Sequence, residues 1–236
     1  MYKRAFYILL LCLLLINPRI HGQRRYSDDK LFHFGFLLGI NMMDFGVKES
    51  MDVLDNGEQY YVRQSGLMPG FSVGLIGDLR LSRYLNLRFT PTFHFAQRTL
   101  SYKTVSGGKK GSVAMRTEVL SMPIEFPLLL KYSAYRHKNA KVYVLGGGGV
   151  SYDVSRDKER MLLMKPLDYF VTVGAGCDIY LPFFKLGPEI RFSLGFANVL
   201  TPIEERPEIT LEEEKRYTLA IRRITNRMLT IVFNFE

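Results

Sequence analysis

Eight segments of this chain alternate apolar and polar residues with a period of two, the repeat of a β-strand and not of a helix. The segments are 32–43, 70–81, 85–96, 118–132, 140–154, 168–181, 184–196 and 229–236. In the first, the even positions from Phe32 to Met42 are all apolar, whereas the odd positions include His33, Gly35 and Asn41. Segment 140–154 is apolar and Gly-rich on both faces, so its phase is ambiguous. The pattern predicts an all-β chain.

The connections between these segments alternate between long and short. The long ones are 46–69, 98–117 (with the Gly-rich tip SGGKKGS), 155–167 and 197–225, and the short ones are 82–84, 133–139 and Pro182–Phe183. Outer-membrane barrels have short periplasmic turns and long outer loops. The spacing therefore predicts an eight-stranded antiparallel up-and-down transmembrane β-barrel over residues 23–236.

A soluble β-sandwich also alternates, but the two faces of these segments favour lipid. One face is an almost unbroken row of Phe and Leu, whereas the other holds Gly, Ser, Thr and mid-strand charges. Those charges are Arg80, Arg88, Glu125, Lys131, Glu189 and Arg191. In a sandwich the polar face meets water, whereas in a small barrel it fills the lumen. A paired charge network inside a barrel is the interpretation we favour.

The closing segment, LTIVFNFE, keeps its alternation to the last residue, where most chains fray. Val232 is the one exception to the pattern. A barrel explains this ending, because its last strand must pair with its first to remove the free edges. We expect the terminal aromatic residues to lie in the interfacial girdle.

Residues 1–22 are predicted to be a secretory signal peptide. Lys3 and Arg4 precede the apolar run AFYILLLCLLLI, which is too short to span a bilayer, and Gly22 offers a small residue for cleavage. Removal of this segment takes three cations and no acid, so that the net charge falls from +9 to +6. Cys177 then remains as a lone cysteine, which excludes an internal disulfide. The positive charge suggests an anionic partner such as lipopolysaccharide, and nucleic acid is not expected because no basic-aromatic binding motif is present.

Four prolines, Pro91, Pro123, Pro127 and Pro188, lie inside the predicted strands. Each removes a ladder hydrogen bond, and a closed barrel has no permanent edge strand to hold it. We expect them to mark bulges or strand ends, which makes segment 118–132 the least secure strand.

An eight-stranded barrel is filled by its own side chains, so a diffusion pore is not expected. Candidate chemistry on the polar face is confined to His33 and His94, with the serines Ser72, Ser121 and Ser193 on the same face. A His–Ser–acid site is chemically conceivable there, but no nucleophile motif surrounds these residues, so histidines of a structural network are favoured. The run Gly146–Gly149 lacks the Lys-Ser/Thr and helix start of a phosphate loop, and indicates relief of crowding or a bend.

Cys177 falls on the lipid face and is interpreted as a small apolar filler. No residues have metal-ligand spacing. The connection 98–117 is basic and 202–216 is acidic, so that these runs are either solvated loops or docking surfaces. We therefore predict no catalytic, cofactor-binding or metal-binding residue and no cofactor.

The opening KLFHFGFLLGINMMDFGVKES (30–50) closely resembles the start of PorT proteins, outer-membrane barrels of the type IX secretion and gliding machinery. The matching residues are Phe32, His33, Gly35, Gly39, Asn41, Met43, Asp44 and Phe45. Residues 118–154 resemble that barrel family through a Pro-x-x-x-Pro strand, a Lys-Tyr end, a short turn and a Gly-rich strand, and 187–200 and 224–236 fit as well. The resemblance implies a non-enzymatic role in the export or maturation of cargo proteins, through protein contacts and not as a pore.

Two alternatives remain open: a structural or adhesive barrel that binds envelope polysaccharide through its loops, and a barrel enzyme acting on envelope lipid or peptide. The expected partners are outer-membrane lipid and other secretion-machinery proteins, bound through 46–69, 98–117 and 197–225 or through the periplasmic turns. No small-molecule substrate is evident. The expected location is the outer membrane of a Gram-negative cell, after signal-peptide export.

Overall fold

The computed structural model describes residues 30–49, 59–64, 68–106, 109–155, 165–201 and 221–236. The described residues form eleven strands, and none of them belongs to a helix long and apolar enough to cross a bilayer. The strands are β1 (Phe32–Glu49), β2 (Gln59–Gln64), β3 (Pro69–Arg80), β4 (Leu85–Phe89), β5 (Thr92–Ser106), β6 (Lys109–Ser121), β7 (Pro123–Ser133), β8 (Ala140–Asp153), β9 (Leu167–Tyr180), β10 (Lys185–Gly195) and β11 (Ile221–Phe235).

Ten of these strands build the eight staves of a closed antiparallel barrel, which confirms the predicted fold. β4 and β5 form one stave, interrupted at Thr90 and Pro91, and β7 and β6 form the next, interrupted at Met122. β1 pairs with β3 on one side and with β11 on the other, which closes the ring. Closure is reinforced on the outer wall, where the Phe235 ring stacks on Phe36 with centroids 4.9 Å apart.

Side chains alternate between the lumen and the outer wall along every stave, as the two-residue period requires. The lumen-facing positions of β1, β3 and β11 include Leu37, Ile76 and Val232, which explains the break at Val232 in the terminal pattern. The phase of 140–154, ambiguous in the sequence, is settled by burial: Tyr143 and Leu145 face the lumen. The outer wall exposes a band of large apolar residues that includes Phe34, Phe71, Leu75, Leu128, Val144, Tyr169, Ile190 and Phe233.

The prolines occupy places where no ladder hydrogen bond is needed. Pro91 lies at the break between β4 and β5, and Pro123 begins β7 directly after the break at Met122. Pro188 lies where the β9–β10 ladder skips two residues, while its pairing with Phe233 of β11 is kept. Pro127 pairs with Gly149 of β8 and lies opposite the break at Thr90. The expectation of bulges or strand ends therefore holds for two of the four, and gaps on one side of the ladder accommodate the other two.

Short connections at 81–84, 134–139 and 181–184 lie together at one end, the short-turn end, as predicted. The opposite, long-connection end differs from the prediction. Residues 98–117 are not a loop, because β5 runs to Ser106 and β6 begins at Lys109. Residues 46–69 contain the end of β1 and all of β2, and 221–225 belong to β11. These strands escaped detection because beyond the bilayer nothing forces one face to be apolar.

At the long-connection end the described wall continues in two places: β1 and β11 run past the last row of β10, and β5 continues together with β2 and β6. β2, residues 97–106 of β5, and β6 form a three-stranded extension, which we call the raised sheet, with β5 in the centre. Within the described residues, the ladder with the neighbouring stave, β8, ends at the pair of Pro123 and Asp153, directly below β6. Most of 155–167 and of 197–225, and the acidic run at 202–216, lie outside the described residues.

Candidate functional site

The lumen of the barrel is crossed by a network of buried charges at the short-turn end. Its centre is Arg88 on β4, which is fully buried. The guanidinium donates to Asp78 at 2.8 Å and to Glu236 at 2.6 Å, and lies 3.5 Å from Glu189. Four staves thus meet at one side chain, because β3, β4, β10 and the residue after β11 each supply a charged group. We call this group the Arg88 network.

Further lumen groups complete the hydrogen bonding of the same carboxylates. Glu189 accepts from the Tyr143 hydroxyl at 2.6 Å, from the Asn234 amide at 3.1 Å and from Arg191. Lys185 forms an ion pair with Glu236 at 2.5 Å. A carboxylate removed from water needs several such donors to remain stable. The Arg88 network is therefore a plug of buried, paired groups at the short-turn end of the lumen.

A second ion pair lies beside it. The Lys131 ammonium on β7 donates to Asp178 on β9 at 2.6 Å, and it lies 3.8 Å from the centre of the Tyr143 ring. Lys185 is 3.9 Å from the same aspartate. Four of the mid-strand charges singled out in the sequence, Arg88, Lys131, Glu189 and Arg191, thus lie in paired lumen networks. Glu125 lies elsewhere in the lumen, 3.4 Å from His94, and Arg80 is half-buried at the end of β3, where it donates to the Ser82 carbonyl.

The long-connection end of the lumen has a different composition. Arg98 on β5 donates to the Asn226 side chain at 2.7 Å and to the Ser121 hydroxyl, and it stacks 3.9 Å from the centre of the Phe45 ring. The Asp153 carboxylate lies 3.8 Å from its guanidinium, and the Asp153 side chain is 21% exposed. Arg98 belongs to a segment interpreted as a loop, so no alternating pattern placed it in the lumen.

Beside Arg98 lies a cavity of about 30 Å³, which we call the mouth cavity. Glu125, Asp153 and Asp168 contribute carboxylates to its lining, and Lys165 and Arg227 contribute cations. A space of this size holds about two water molecules. A smaller cavity of about 10 Å³ lies deeper, next to His94 and Glu125. Their linings include none of Arg88, Asp78, Glu189 and Glu236, and both cavities are far too small for a macromolecule.

The structure brings together part of the His–Ser–acid site that the sequence analysis considered. The Ser72 hydroxyl and His94 Nδ1 are 2.8 Å apart, and His94 Nε2 lies 3.4 Å from Glu125. However, Ser72 is 1% exposed, and its oxygen already accepts a hydrogen bond from Asn41 at 2.9 Å. A nucleophile needs room for a substrate carbonyl, and the adjoining space holds about one water molecule. The trio is therefore a structural network.

The other sequence candidates are dispersed. His33 pairs with Asp78 in the β1–β3 ladder, six residues along β3 from Ser72, so the two histidines do not share a site. Ser193 is hydrogen-bonded to Thr172 at 2.7 Å. Cys177 is half-buried in β9, and the described residues contain no His, Cys, Asp and Glu group that could hold a metal ion.

The Gly-rich run of β8 relieves crowding, as expected. A Cβ on Gly147 would collide with the carbonyl oxygen of Leu128, and one on Gly149 with that of Phe126, both on the neighbouring β7. Gly146 is different, since its Cβ would lie 3.9 Å from the nearest neighbour. The run therefore brings two backbones together and has no ligand-binding geometry.

Comparison with known proteins agrees with this architecture. Residues 22–201 match the family of outer membrane protein β-barrel domains. The chain belongs to that family. Its barrel accordingly lies in the outer membrane, with the apolar band of the outer wall against lipid. By the orientation of such barrels, the short-turn end faces the periplasm and the long-connection end faces outward.

Solved structures are also similar to this chain, at low sequence identity. Neisserial surface protein A (NspA) is 9% identical and matches with a TM-score of 0.42, covering 87% of this chain and 98% of its own. OprG from Pseudomonas aeruginosa is 11% identical with a TM-score of 0.43, covering 86% of this chain and 92% of its own. No curated protein matches the sequence.

Proposed function

We propose that this outer-membrane barrel is an accessory component of type IX protein secretion, and that it acts through contacts with other machinery proteins and not as a conduit. The Arg88 network is the observation that supports action through protein contacts and not as a conduit. Asp78, Glu189 and Glu236 converge on one buried guanidinium across the lumen. Opening this plug for a polypeptide would leave several charges without partners, at a cost of several kcal/mol for each.

The resemblance of residues 30–50, 118–154, 187–200 and 224–236 to PorT proteins supports the secretion half of the proposal. Membership in the outer membrane protein β-barrel family supports the same fold and the same membrane. We propose that the contacts with machinery proteins use the connections 46–69, 98–117 and 197–225, or the periplasmic turns. Export by a signal peptide over residues 1–22 belongs to the same proposal, and sequencing of the mature N-terminus should then begin at Gln23.

The experiment that tests secretion is deletion of the gene followed by proteomics of the secreted and periplasmic fractions. We expect cargo proteins that share a C-terminal sorting domain to accumulate unprocessed in the periplasm, with restoration by the intact gene. Restoration by a variant carrying His33→Gln and His94→Gln would exclude a histidine-dependent enzyme. Unchanged secretion in the deletion strain would contradict the proposal.

The second candidate is a structural or adhesive barrel. The raised sheet favours it, because three paired strands extend the barrel at the cell exterior beyond the Ala96–Ser121 row. Shortening β5 and β6 to a two-residue turn joining Gln97 to Leu120 separates the two candidates, since these residues already pair across the ladder. Loss of surface binding with normal secretion supports adhesion, and loss of cargo export supports the secretion role.

A further inference from the structure

The outer wall of β1 changes from apolar to polar at one row of its ladder with β11. The even-numbered residues from Phe32 to Met42 are apolar and face lipid, because the odd-numbered Leu37 and Met43 are buried in the lumen. At about 3.3 Å per residue and a strand tilt of about 40°, this apolar stretch is about 25 Å tall, the full height of the apolar band of such barrels. Met42 pairs with Leu229, so the rows beyond this pair lie at the level of the outer-leaflet headgroups.

Three exposed cations occupy the outward positions of the next rows. Those rows are the pairs Asp44–Arg227, Gly46–Thr225 and Lys48–Arg223. Paired residues share a face, and these positions continue the lipid-facing wall. Lys48, Arg223 and Arg227, which we call the outer-leaflet cations, are all exposed. Because successive rows rise by about 5 Å, these cations stand roughly 5 to 15 Å above the apolar band.

The outer-leaflet cations are not balanced by acids of the described wall. Lys48 and Arg223 lie directly opposite each other, an unfavourable arrangement because like charges across a ladder repel. Asp44 is the single acid among the described outward side chains of these rows, since Asp153 and Asp168 line the mouth cavity in the lumen. Past Lys48 the register shifts, and the side chains of Glu49 and Arg222 lie outside the described residues. Three cations against one acid leave an excess positive charge that an external anion would balance.

Both guanidinium groups are positioned by the wall itself. A Cβ on Gly46 would lie 3.0 Å from Arg227 Nε and 3.3 Å from its Cζ, so the absent side chain leaves room for this guanidinium to lie across β1. Arg227 thereby reaches one row beyond its own pair, away from the hydrocarbon. Arg223 donates to the carbonyl of Phe196, just past the end of β10, at 2.5 Å. A guanidinium carries five N–H donors, so one such bond leaves others for an anion.

The surroundings of the outer-leaflet cations identify the anion. Leu194 of β10 pairs with Arg227, and Phe196 beyond it is 55% exposed, so apolar wall borders the cations on that side. Lipid therefore lies against the same surface, and at this height its headgroups are the nearest anions. An acidic protein would have to displace lipid from Leu194 and Phe196 to reach these groups.

We propose that the outer-leaflet cations bind the phosphate groups of lipopolysaccharide, the anionic lipid of the outer leaflet. Each Lys or Arg near an anionic membrane surface adds favourable electrostatic energy, and Arg forms bidentate hydrogen bonds with phosphate. A phosphate between Lys48 and Arg223 also removes their mutual repulsion. The inference is independent of the secretion role, because it concerns only the lipid beside the barrel.

The test compares two variants that lose the same charge. The first changes the three outer-leaflet cations to Gln. The matched control changes three cations of the short-turn end, Lys30, Arg83 and Lys141, to Gln; that end adjoins the other leaflet. Each full-length protein is purified from outer membranes in mild detergent, and the lipopolysaccharide that accompanies each barrel is quantified. Purified lipopolysaccharide, intact or dephosphorylated, is then titrated into the delipidated proteins, whose folding is checked by far-UV circular dichroism.

We expect the first variant to lose at least about tenfold of its co-purified lipopolysaccharide, and the control to lose less than about twofold. Dephosphorylated lipopolysaccharide should bind the unaltered protein at least about tenfold more weakly, with little dependence on salt. A variant that keeps the charge, with Lys48→Arg, Arg223→Lys and Arg227→Lys, should stay within about threefold of the unaltered protein.

Gly46→Ala separates geometry from charge, because it displaces the Arg227 guanidinium and leaves every cation in place. We expect this variant to bind about threefold more weakly while the barrel stays folded. Equal losses in the two Gln variants would reduce the effect to net charge and overturn the proposal. An equally large loss in the charge-retaining variant would assign the effect to packing and overturn it as well. So would undiminished lipopolysaccharide binding in the first variant, whether or not an acidic protein partner is lost.

Discussion

Arg88 and Arg98 lie on the same stave, ten residues apart, and both are buried in the lumen, yet their surroundings have little in common. Arg88 meets three carboxylates, those of Asp78, Glu189 and Glu236. Arg98 meets an amide, a hydroxyl and an aromatic ring, with its carboxylate neighbour Asp153 partly exposed. In the periplasmic half of the lumen the charged groups are thus paired directly with one another, whereas in the outer half charged groups line a cavity with space for water.

This difference shows how a barrel of eight staves divides its lumen between two tasks. Charge pairs in a dry interior hold the staves in register, because breaking one leaves an uncompensated charge. Neutral partners next to a hydrated cavity tolerate change, since water replaces a lost hydrogen bond. We therefore expect the loss of a buried lumen cation to be most damaging at the short-turn end and progressively milder toward the mouth cavity.

The largest effect is expected for Arg88→Met, which keeps the volume of the side chain but removes its charge. Three carboxylates then share the remaining cations, and the barrel should lose about 3–5 kcal/mol of unfolding free energy. Urea unfolding in lipid vesicles measures this by far-UV circular dichroism, because the chain has no Trp to report on folding. Arg88→Lys is the matched control and should recover part of the loss. A change below about 1 kcal/mol would show that the Arg88 network does not stabilise the barrel.

The next effect is expected for Lys131→Met. Asp178 would lose its 2.6 Å partner but keep Lys185 at 3.9 Å, so the barrel should lose about 2–3 kcal/mol. The same unfolding experiment checks this value. The double variant with Lys185→Met should lose more than the sum of the two single losses, because the aspartate then has no ammonium within 4 Å. Simple additivity would mean that the two lysines act independently.

The strands and lumen residues could be predicted from the sequence only where the chain lies within the bilayer. Within it, each residue faces either lipid or lumen, so alternation alone located the staves and placed Arg88, Lys131 and Glu189 inside. Their partners could not be inferred, since Arg88 and Glu236 are 148 positions apart and meet only through the closure of the ring. Above the bilayer both faces of the raised sheet meet polar surroundings, so β2, β6 and the upper part of β5 carried no strand signal.

A smaller effect is expected at the mouth, for Arg98→Met. The variant loses the hydrogen bonds to Asn226 and Ser121, but it keeps most of the apolar contact with Phe45. The carboxylate that loses its cation, that of Asp153, is partly exposed and is therefore solvated by water. The expected loss is about 1–2 kcal/mol. Unfolding of this variant and of Arg88→Met under identical conditions gives the comparison directly. Equal losses would refute the division of the lumen into two halves.

The smallest effect is expected for His94→Gln, at the boundary between the two halves. His94 is 3% exposed, and the side-chain amide of Gln can form a hydrogen bond with Ser72 in place of the imidazole. The unfolding free energy should change by less than about 1 kcal/mol, and secretion of cargo should continue in a strain that carries the variant. Ser72→Ala provides the matched change on the other partner, and it should behave in the same way because a methyl group leaves Asn41 its bond to the Phe71 carbonyl.

The decisive outcome for this pair is a dissociation of folding from function. If His94→Gln and Ser72→Ala both fold with unaltered stability and both abolish the cellular phenotype, the hydroxyl and the imidazole act chemically, and the smaller cavity next to His94 must open to a substrate. If folding and phenotype change together, or neither changes, the trio only packs the lumen. The decrease from Arg88 through Lys131 to Arg98 would then reflect hydration, since each step toward the mouth replaces a buried ionic partner by one that water can substitute.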